Sequence, residues 1–235
     1  MNTGNTSQGT NAGLDGNTHR AIPRQPGRKI YPVIKRALDI ILALILLLPA
    51  ALLVGVAALW VLLESGRPVF FVQTRPGLHG KLFKLYKLRT MISQTHRDGV
   101  PLSDVQRLTR AGRVIRKLSI DELPQLLNVL LGQMSFIGPR PLLASYLPLY
   151  SQEQMRRHEV LPGISGWAQV NGRNQSSWDE KFRNDVWYVD HQSFRLDLRI
   201  LVKTIINVLR REGINAGEGQ TMAPFEGSAS PRGRE

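Results

Sequence analysis

The chain has 235 residues, a length that suits one domain with short extensions. Lysine and arginine together number 31 against 18 aspartate and glutamate residues, a net charge of +13, and so large an excess favours anionic partners such as nucleic acid, acidic lipid or phosphorylated substrates. The chain contains no cysteine, which excludes disulfides and thiolate-bound zinc or iron–sulfur centres.

Both ends of the chain are predicted to be disordered. Residues 1–28 are rich in Asn, Thr, Gly and Gln and carry almost no large apolar side chains, so they cannot bury enough surface to offset the entropy cost of ordering. Residues 216–235 have a similar composition. We expect a flexible C-terminal tail in which only Met222 and Phe225 are able to dock locally.

One segment is apolar enough to enter a membrane. Residues 40–63 contain no charged side chain over 24 positions, and roughly 20 apolar residues suffice for a helix to span a bilayer. The run begins too far along the chain and is too long for a cleavable signal peptide, and it lacks a small-residue cleavage site. Because the run has no polar face, we predict a membrane-embedded helix over residues 29–66 rather than a buried core helix.

Whether that helix crosses the membrane depends on Pro49 and on the charges at both ends. A proline inside a helix removes a backbone hydrogen bond and kinks or breaks the helix, and residues 40–48 before it are too few to cross alone. Lysine and arginine flank the run on both sides, and the positive-inside rule places such flanks in the cytoplasm. A helix that enters, bends at Pro49 and returns satisfies the rule at both ends, whereas a kinked spanning helix satisfies it at one. The residues alone leave the two open.

The segment after the membrane run predicts a β-hairpin. Residues 68–91 carry aromatic and β-branched side chains on both sides of a turn that begins at Pro76. Arg75, Lys87 and Arg89 lie near the ends of the two predicted strands, where they are placed either to converge on an anion or to form a solvated basic face. Spacing alone does not separate these two interpretations.

Two further segments have the period of amphipathic helices. Over residues 104–118 apolar side chains recur at helical spacing, and arginine and lysine occupy the opposite face, a pattern that also suits an anionic lipid surface. Residues 194–211 repeat apolar side chains at the same spacing. We expect both helices to pack on the core or at the membrane interface, so the predicted fold class is mainly α with a short β-hairpin.

Two adjacent carboxylates, Asp121 and Glu122, precede a short apolar run. Because proline is tolerated only in the first turn of a helix, Pro124 predicts a helix over 122–131 that starts at or near Asp121. One interpretation of the pair is structural: Asp121 caps the helix, and Glu122 lies favourably at its positive end.

The same arrangement also suits phosphate chemistry. A helix N-terminus offers free N–H groups to a phosphate, an aspartate held there is able to attack phosphorus, and two adjacent carboxylates can hold Mg²⁺ together with substrate phosphates. Arg140, between Pro139 and Pro141, presents a planar donor fork to a phosphate. A nucleophile, a metal ligand and an arginine in these positions together indicate transfer of a phosphoryl group at a diphosphate. The local residues leave both this interpretation and simple helix capping open.

Longer motifs make the pattern specific. They are "KRALDI" before the apolar run, "FVQTRPGLHGKLFKLYKLRTM" in the predicted hairpin, "TRAGRVIRKLSIDELPQLLNVLLGQMSFIGPRP" around the paired acids, and "YSQEQMRRHEVLPGISGWAQVNGRN" followed by "WDEKFRNDVWYVDH". On these motifs the chain resembles the bacterial sugar transferase family, the monotopic polyprenyl-phosphate phosphoglycosyl transferases, from about Ile34 to Phe225. The short layout with a single apolar segment is similar to the minimal members of that family.

The resemblance implies an activity and a membrane arrangement. Such enzymes move a sugar-1-phosphate from a UDP-sugar onto undecaprenyl phosphate at the cytoplasmic face of the bacterial inner membrane, release UMP and require Mg²⁺. Their membrane helix is re-entrant and breaks at a proline, here Pro49, and the cytoplasmic catalytic domain would be residues 67–215. Minimal members often carry serine before this proline, whereas this chain has Leu48.

The resemblance also implies roles for individual residues. Asp121 would attack the β-phosphate of the UDP-sugar and hold the phosphosugar covalently, and Glu122 would assist, with both carboxylates as metal ligands. The candidates for binding substrate phosphates are the basic side chains Arg75, Lys87, Arg89 and Arg140.

A glycine-punctuated loop after Pro162 carries two further candidates. Gln169 and Arg173 are placed there for nucleotide or sugar contacts, against local bonding within the turn. His158 has no evident partner in the sequence, and we do not expect it to act as a base. Trp187 and the residue after it are expected in the core or at an interface.

Two other functions compete with the enzyme. A membrane-anchored nucleic-acid binder would account for the net charge, but no nucleic-acid-binding motif is present, so we predict no nucleic-acid partner. A catalytically inactive family member acting as a membrane assembly scaffold is disfavoured by the intact Asp121-Glu122 pair. The expected partners are UDP-sugar, undecaprenyl phosphate and inner-membrane lipid, with a homodimer as a further possibility. Nothing in the sequence identifies the sugar.

Overall fold

The computed structural model describes residues 30–171, 177–210 and 223–227 of the chain. The predicted disordered tail over residues 1–28 and most of the predicted tail over 216–235 lie outside these described residues. The described elements are mainly helical and include the predicted β-hairpin together with two smaller strand pairs, so the predicted fold class is confirmed at that level.

Helices and short strands follow one another along the chain. The α-helices are α1 Tyr31–Ser65, α2 Asp104–Arg107, α3 Arg110–Lys117, α4 Leu126–Leu130, α5 Gln152–Met155, α6 Trp167–Asn171, α7 Trp178–His191 and α8 Phe194–Leu209. The strands are β1 Phe70–Pro76, β2 Leu82–Leu88, β3 His96–Arg97, β4 Val100–Pro101, β5 Ser135–Ile137 and β6 Gly163–Ser165. Short 3₁₀ helices cover Leu78–Gly80, Ile120–Gln125, Ala144–Leu149 and Arg156–His158.

Helix α1 is continuous through Pro49, which corrects the prediction of a helix broken at that residue. Proline removes one backbone hydrogen bond and crowds the carbonyl four residues earlier, and the helical turns on both sides keep the rest of the ladder intact. With 35 residues the helix is about 50 Å long. Among the described residues it is the one helix long and apolar enough to cross a membrane.

The N-terminal part of α1 is held to the rest of the protein by the charged residues of the "KRALDI" motif. Lys35 Nζ lies 2.6 Å from a carboxylate oxygen of Asp197 in α8. Arg36 donates to the two carbonyls at the end of α4, at 2.5 and 3.0 Å. Asp39 accepts from a backbone N–H of β5 at 3.1 Å. Because Lys35, Asp39 and Asp197 are all buried, this end of α1 is fixed on the domain.

The C-terminal end of α1 is held to the same domain. The Glu64 carboxylate accepts from the backbone N–H groups of Arg110 and Ala111 at the start of α3, at 2.8 and 2.7 Å, where a helix N-terminus favours negative charge. Arg89 donates to the Ser65 carbonyl at 2.6 Å. Its guanidinium is thus engaged by carbonyls at the end of α1, and the structure shows no contact between Arg89 and Glu122; its role in binding substrate stays a prediction.

Strands β1 and β2 form the predicted antiparallel hairpin, with Phe70 opposite Leu88 and Pro76 opposite Leu82. Side chains of β2 pack against α1 and its neighbours in two apolar clusters. Phe83 and Leu85 pack in one apolar cluster with Ala43, while Leu88 packs in a second with Ala57 and Val61. Both halves of α1 therefore lie against a single hairpin.

Of the two predicted amphipathic helices, one is divided in the structure and the other is confirmed. The segment 104–118 divides into α2 and α3, because Leu108 is extended and pairs with Met91 as a β-bridge, and Thr109 then caps α3 by accepting from a backbone N–H. The predicted helix 194–211 is confirmed as α8, whose exposed apolar residues agree with a surface beyond the core.

The paired acids lie in the 3₁₀ helix Ile120–Gln125, and the α-helix begins only at Leu126. Pro124 has no N–H to pair, so tighter turns precede the α-helical ladder. The position before this segment belongs to Ser119, whose backbone is left-handed with φ of 55°. The prediction that Asp121 caps the helix is therefore wrong.

His158 joins the segment before β6 to the turn of the hairpin. Its Nδ1 lies 3.1 Å from the Gly77 carbonyl, and its side chain is buried. Burial, and then the charge of Arg157, lower the pKa of His158 from 6.5 to about 4, although the hydrogen bond to Gly77 opposes them. His158 is thus a neutral structural group near pH 7, as expected for a residue that does not act as a base.

The lowered pKa of His158 predicts acid-induced destabilisation. His158 is protonated below about pH 6.5 in the unfolded chain but only below about pH 4 in the folded chain. Between these values, lowering the pH by one unit therefore reduces the free energy of unfolding by about 1.4 kcal/mol through this group. His158→Gln should flatten that slope in melting temperatures followed by tryptophan fluorescence in detergent. The matched control, exposed His96→Gln, should keep the slope, and an equal slope in His158→Gln and the wild type would contradict the assignment.

Candidate active site

Three sequence motifs meet at the Glu122 carboxylate. One oxygen, Oε1, accepts from Lys87 Nζ at 2.8 Å and from Arg140 Nη2 at 2.6 Å. Lys87 comes from β2, Glu122 from the 3₁₀ helix, and Arg140 from the Gly-Pro-Arg-Pro loop after β5. The structure therefore brings together three of the residues that the sequence nominated, although they are far apart in the chain.

The charges of Lys87 and Arg140 keep the Glu122 carboxyl group ionised. Burial alone raises the pKa of this carboxyl group, but the charges of Arg140 and Lys87 and their hydrogen bonds outweigh burial and lower it to about 2. The Glu122 charge in turn raises the pKa of Arg140. The Arg140 side chain is still 44% exposed, so the guanidinium has an open side for a further anion.

Asp121 has the opposite electrostatic environment. Burial, and then the adjacent Glu122 charge, raise its pKa above 3.8, while Lys87, Arg116 and Arg140 pull it down. The environment thus pushes the pKa values of two neighbouring carboxyl groups apart, an arrangement that separates their chemical roles. Asp121 is the more basic of the two, and Glu122 is the one engaged by cations.

The loop that carries Arg140 is fixed by close backbone packing. Strands β5 and β6 are parallel, Gly138 N–H donates to the Ser165 carbonyl at 2.9 Å, and Gly163 N–H donates to the Pro139 carbonyl at 3.0 Å. A Cβ on Gly163 would lie 2.1 Å from the Gly138 nitrogen, so only glycine fits there. The "FIGPRP" and "LPGISG" stretches are therefore one interlocked unit.

A buried ion pair supports the same loop from behind. Arg157 is 2% exposed, and its Nη2 donates to the Arg140 carbonyl and to Asp185, both at 2.7 Å. Its Nη1 donates to the Tyr150 hydroxyl at 3.1 Å. The sequence analysis did not identify Arg157 or Asp185, because the two residues lie on separate segments and no regular spacing relates them. The adjacent arginines in the "RRHEV" stretch were the feature that could have drawn attention to Arg157.

A cavity of about 760 Å³ opens beside the charged cluster. Glu122 and Arg140 lie on its wall. Asp121 is not itself a lining residue, but it directly precedes Glu122 in the chain. The wall from α1 is apolar and includes Leu46, Pro49, Ala50 and Leu53. The cavity thus extends from the charged side chains of Glu122 and Arg140 to the middle of the apolar helix α1.

The remaining predicted residues differ in position. Gln169 lines the cavity; its Nε2 donates to the Ile164 carbonyl at 3.1 Å, and its buried Oε1 has no hydrogen bond within the described part of the chain. Arg75 donates to Gln73 at 2.6 Å, and its pKa is lowered by burial and by the charge of Arg140, which places the two arginines near each other. Arg173 lies outside the described residues.

The paired acids fit the ligand set predicted for Mg²⁺. The described residues contain no cluster of three or more His, Cys, Asp or Glu side chains that could hold a metal ion by themselves. Mg²⁺ needs only one or two carboxylates when substrate phosphates supply further oxygens. An ionised Glu122 next to Asp121, with Arg140 and Lys87 engaging one of its oxygens, agrees with that mode of binding.

Comparison with known proteins gives three informative relatives. EpsL of Bacillus subtilis (strain 168), an uncharacterized sugar transferase by name, is 56% identical over 196 residues, or 83% of this chain and 97% of that protein. A UDP-N-acetylgalactosamine-undecaprenyl-phosphate N-acetylgalactosaminephosphotransferase of Aeromonas hydrophila is 42% identical over 188 residues, 77% of this chain but 44% of that protein. A UDP-glucose:undecaprenyl-phosphate glucose-1-phosphate transferase of Caulobacter vibrioides is 42% identical over 187 residues, 74% of this chain and 69% of that protein.

The match to a protein family covers most of the chain. The model of the family described as bacterial sugar transferase matches residues 30–211, from the start of α1 to just beyond α8. All the elements that form the charged cluster and the cavity lie inside this range. With this match, and with a relative 56% identical over nearly its whole length, the chain belongs to the bacterial sugar transferase family.

Proposed function

We propose that the protein transfers a sugar-1-phosphate from a UDP-sugar to undecaprenyl phosphate and releases UMP. The observation that carries this proposal is the position of Glu122 and Arg140 on the wall of a cavity that α1 lines with apolar side chains, with Lys87 bonded to Glu122 and Asp121 next to it in the chain. A polar diphosphate suits the charged end of such a cavity, and a polyprenyl chain suits its apolar wall. The two relatives described above are named for different donors, UDP-N-acetylgalactosamine in one and UDP-glucose in the other, and a third relative is named for galactose, so the sugar stays unassigned.

The first half of the reaction builds a covalent intermediate on Asp121. A carboxylate oxygen of Asp121 attacks the phosphorus that bears the sugar, an aspartyl–phosphate bond forms, and the bond from that phosphorus to UMP breaks. Asp121 is the more basic of the two carboxylates, which suits a nucleophile. The open side of the Arg140 guanidinium, with Lys87 beside it, donates to the phosphate oxygens as charge develops on them.

The second half regenerates the enzyme. A phosphate oxygen of undecaprenyl phosphate attacks the same phosphorus, and the Asp121 carboxylate leaves, so that a sugar diphosphate on the lipid is the product. Asp121 and Glu122 are the residues that would hold Mg²⁺, which when bound supplies charge neutralisation at a diphosphate. Glu122 also restrains Arg140 and Lys87, so both cations are oriented before substrate arrives.

The contacts of α1 support a proposal for how the protein sits in the membrane. Lys35 and Arg36 near one end and Glu64 at the other all bond to the same domain. A straight span across a bilayer about 30 Å thick would place these two ends on opposite sides. We infer that α1 kinks at Pro49 without breaking, so that it dips into the cytoplasmic leaflet of the bacterial inner membrane and returns, with the catalytic domain on the cytoplasmic face.

Two substitutions test the chemistry. Asp121→Asn keeps the shape but removes the nucleophilic charge, so UMP release should fall by roughly 10³-fold or more. Arg140→Met removes the donor fork and should cost roughly 10²- to 10³-fold. Both are measured as UMP release in detergent with Mg²⁺, undecaprenyl phosphate and a panel of UDP-sugars.

A surface variant controls for general effects of mutation in that assay. Glu153→Gln breaks an exposed ion pair with Arg156 and should release UMP at the wild-type rate. Wild-type activity in Asp121→Asn would contradict the catalytic role. A wild-type protein that releases UMP from no donor would favour the alternative, an inactive family member acting as a membrane assembly scaffold.

Cysteine labelling tests the re-entrant topology, because the chain has no cysteine of its own. Asn17→Cys and Ser230→Cys are each exposed to a membrane-impermeant maleimide, in intact spheroplasts and after permeabilisation. A re-entrant helix predicts that both sites react only after permeabilisation. Reaction of Asn17→Cys in intact spheroplasts, with Ser230→Cys still protected, would show a spanning helix instead.

A further inference from the structure

A short C-terminal segment, Ala223–Gly227, packs on the catalytic domain beyond the end of α8. Its one aromatic residue, Phe225, is only 4% exposed and belongs to a buried apolar cluster. The Trp178 indole N–H also donates to the Ala223 carbonyl at 2.9 Å. The segment is therefore held by an apolar contact and by a hydrogen bond, both of which involve the start of α7.

Phe225 fills the centre of an aromatic cluster. Its ring centroid lies 4.9 Å from that of Phe182 in an edge-on contact, and four aromatic rings in all lie within 6 Å. The other three neighbours, at centroid distances of 5.7, 5.9 and 5.6 Å, are Tyr146, Tyr150 and Trp178. Such edge-on and tilted contacts fix ring positions as well as burying area.

Two of these rings hold Arg157. The Arg157 guanidinium carbon lies 5.7 Å from the Tyr150 ring centroid and 5.6 Å from that of Phe182, and the Tyr150 hydroxyl accepts from Arg157 at 3.1 Å. Arg157 in turn donates to the Arg140 carbonyl. A continuous set of contacts therefore runs from Phe225, through two aromatic rings and one buried arginine, to the backbone of Arg140.

The same cluster forms one side of the cavity. Trp178, Arg157 and Arg140 all line it, as do Lys181 and Asp185 from α7. Phe225 lies behind this wall, against Trp178 and Phe182. Loss of its ring would leave a void beside Phe182 and Tyr150, and the rings that hold Arg157 would then relax toward it.

We propose that Phe225 is a positioning residue for Arg140, and that Ala223–Gly227 is a strap that keeps the phosphate-binding loop in place. The activity readout for this role rests on the proposed function. A second readout, backbone amide exchange without substrate, does not depend on it. The sequence analysis predicted that Phe225 is able to dock locally, which its burial confirms, but its composition gave no indication of the partner rings.

The first experiment compares truncations and point variants in the full membrane-embedded protein. A chain that ends after residue 222 lacks the strap, whereas a chain that ends after residue 227 keeps it and serves as the matched control. The shorter chain and Phe225→Ala should lower kcat/KM for the UDP-sugar by roughly 10- to 100-fold, at a temperature where both remain folded. Phe225→Leu, which refills most of the volume, should stay within about threefold of wild type, as should the longer chain.

A double-mutant cycle separates positioning from general stability. If Phe225 acts through Arg140, Phe225→Ala should cost little further activity in an Arg140→Met background. A core residue without that role would lower activity by the same factor in both backgrounds. Equal factors, or a lower melting temperature with unchanged kcat/KM, would overturn the proposal.

Amide exchange followed by mass spectrometry decides the matter even if no donor yields UMP. Peptides covering residues 135–146 and 156–158 should exchange faster in Phe225→Ala than in the wild type and Phe225→Leu, while peptides from α3 should not change. If no donor yields UMP but these peptides exchange faster in Phe225→Ala, the proposed function fails while the positioning role of the strap is supported. Unchanged exchange there would reject it.

Discussion

The structure depends on one buried carboxylate shared by two cations. Glu122 is largely removed from water, and a buried charge is tolerated only when it is paired and hydrogen-bonded. Lys87 and Arg140 provide those bonds at 2.8 and 2.6 Å, and in doing so they draw the hairpin and the Gly-Pro-Arg-Pro loop onto the 3₁₀ helix. Asp121 is thereby left beside a cationic cluster as the more basic acid, which suits the nucleophilic role proposed for it.

The second constraint is the attachment of an apolar helix at both of its ends. Buried charges of the "KRALDI" motif bond the start of α1 to α4, α8 and β5, and Glu64 bonds its end to α3. The middle of the helix, around Pro49, exposes apolar side chains on one side and forms the cavity wall on the other. A reaction that joins a water-soluble nucleotide sugar to a membrane lipid needs a site with both properties.

The sequence predicts those parts of the protein that depend on local pattern. The hairpin follows from alternating residues around a turn, α8 from its helical period, and the Glu122–Arg140 pairing from the chemistry that two motifs share. Long-range contacts set the rest. The apolar spacing over residues 104–118 favours one helix, but the bridge between Leu108 and Met91 divides it. The Arg89 side chain donates to the Ser65 carbonyl at the end of α1, a contact that the sequence did not indicate. No spacing rule relates Arg157 to Asp185, or Phe225 to the aromatic cluster, since each pair meets only in the folded chain.

The central claim is a phosphosugar held covalently on Asp121, and intact mass spectrometry tests it most directly. The purified protein is incubated in detergent with Mg²⁺ and single UDP-sugars, without undecaprenyl phosphate, and quenched at short times. The account predicts an added mass of one phosphosugar with the correct donor, mapped to a peptide that contains Asp121 and absent from Asp121→Asn. An adduct that persists in Asp121→Asn, or UMP release on addition of undecaprenyl phosphate with no adduct at any time, would contradict it.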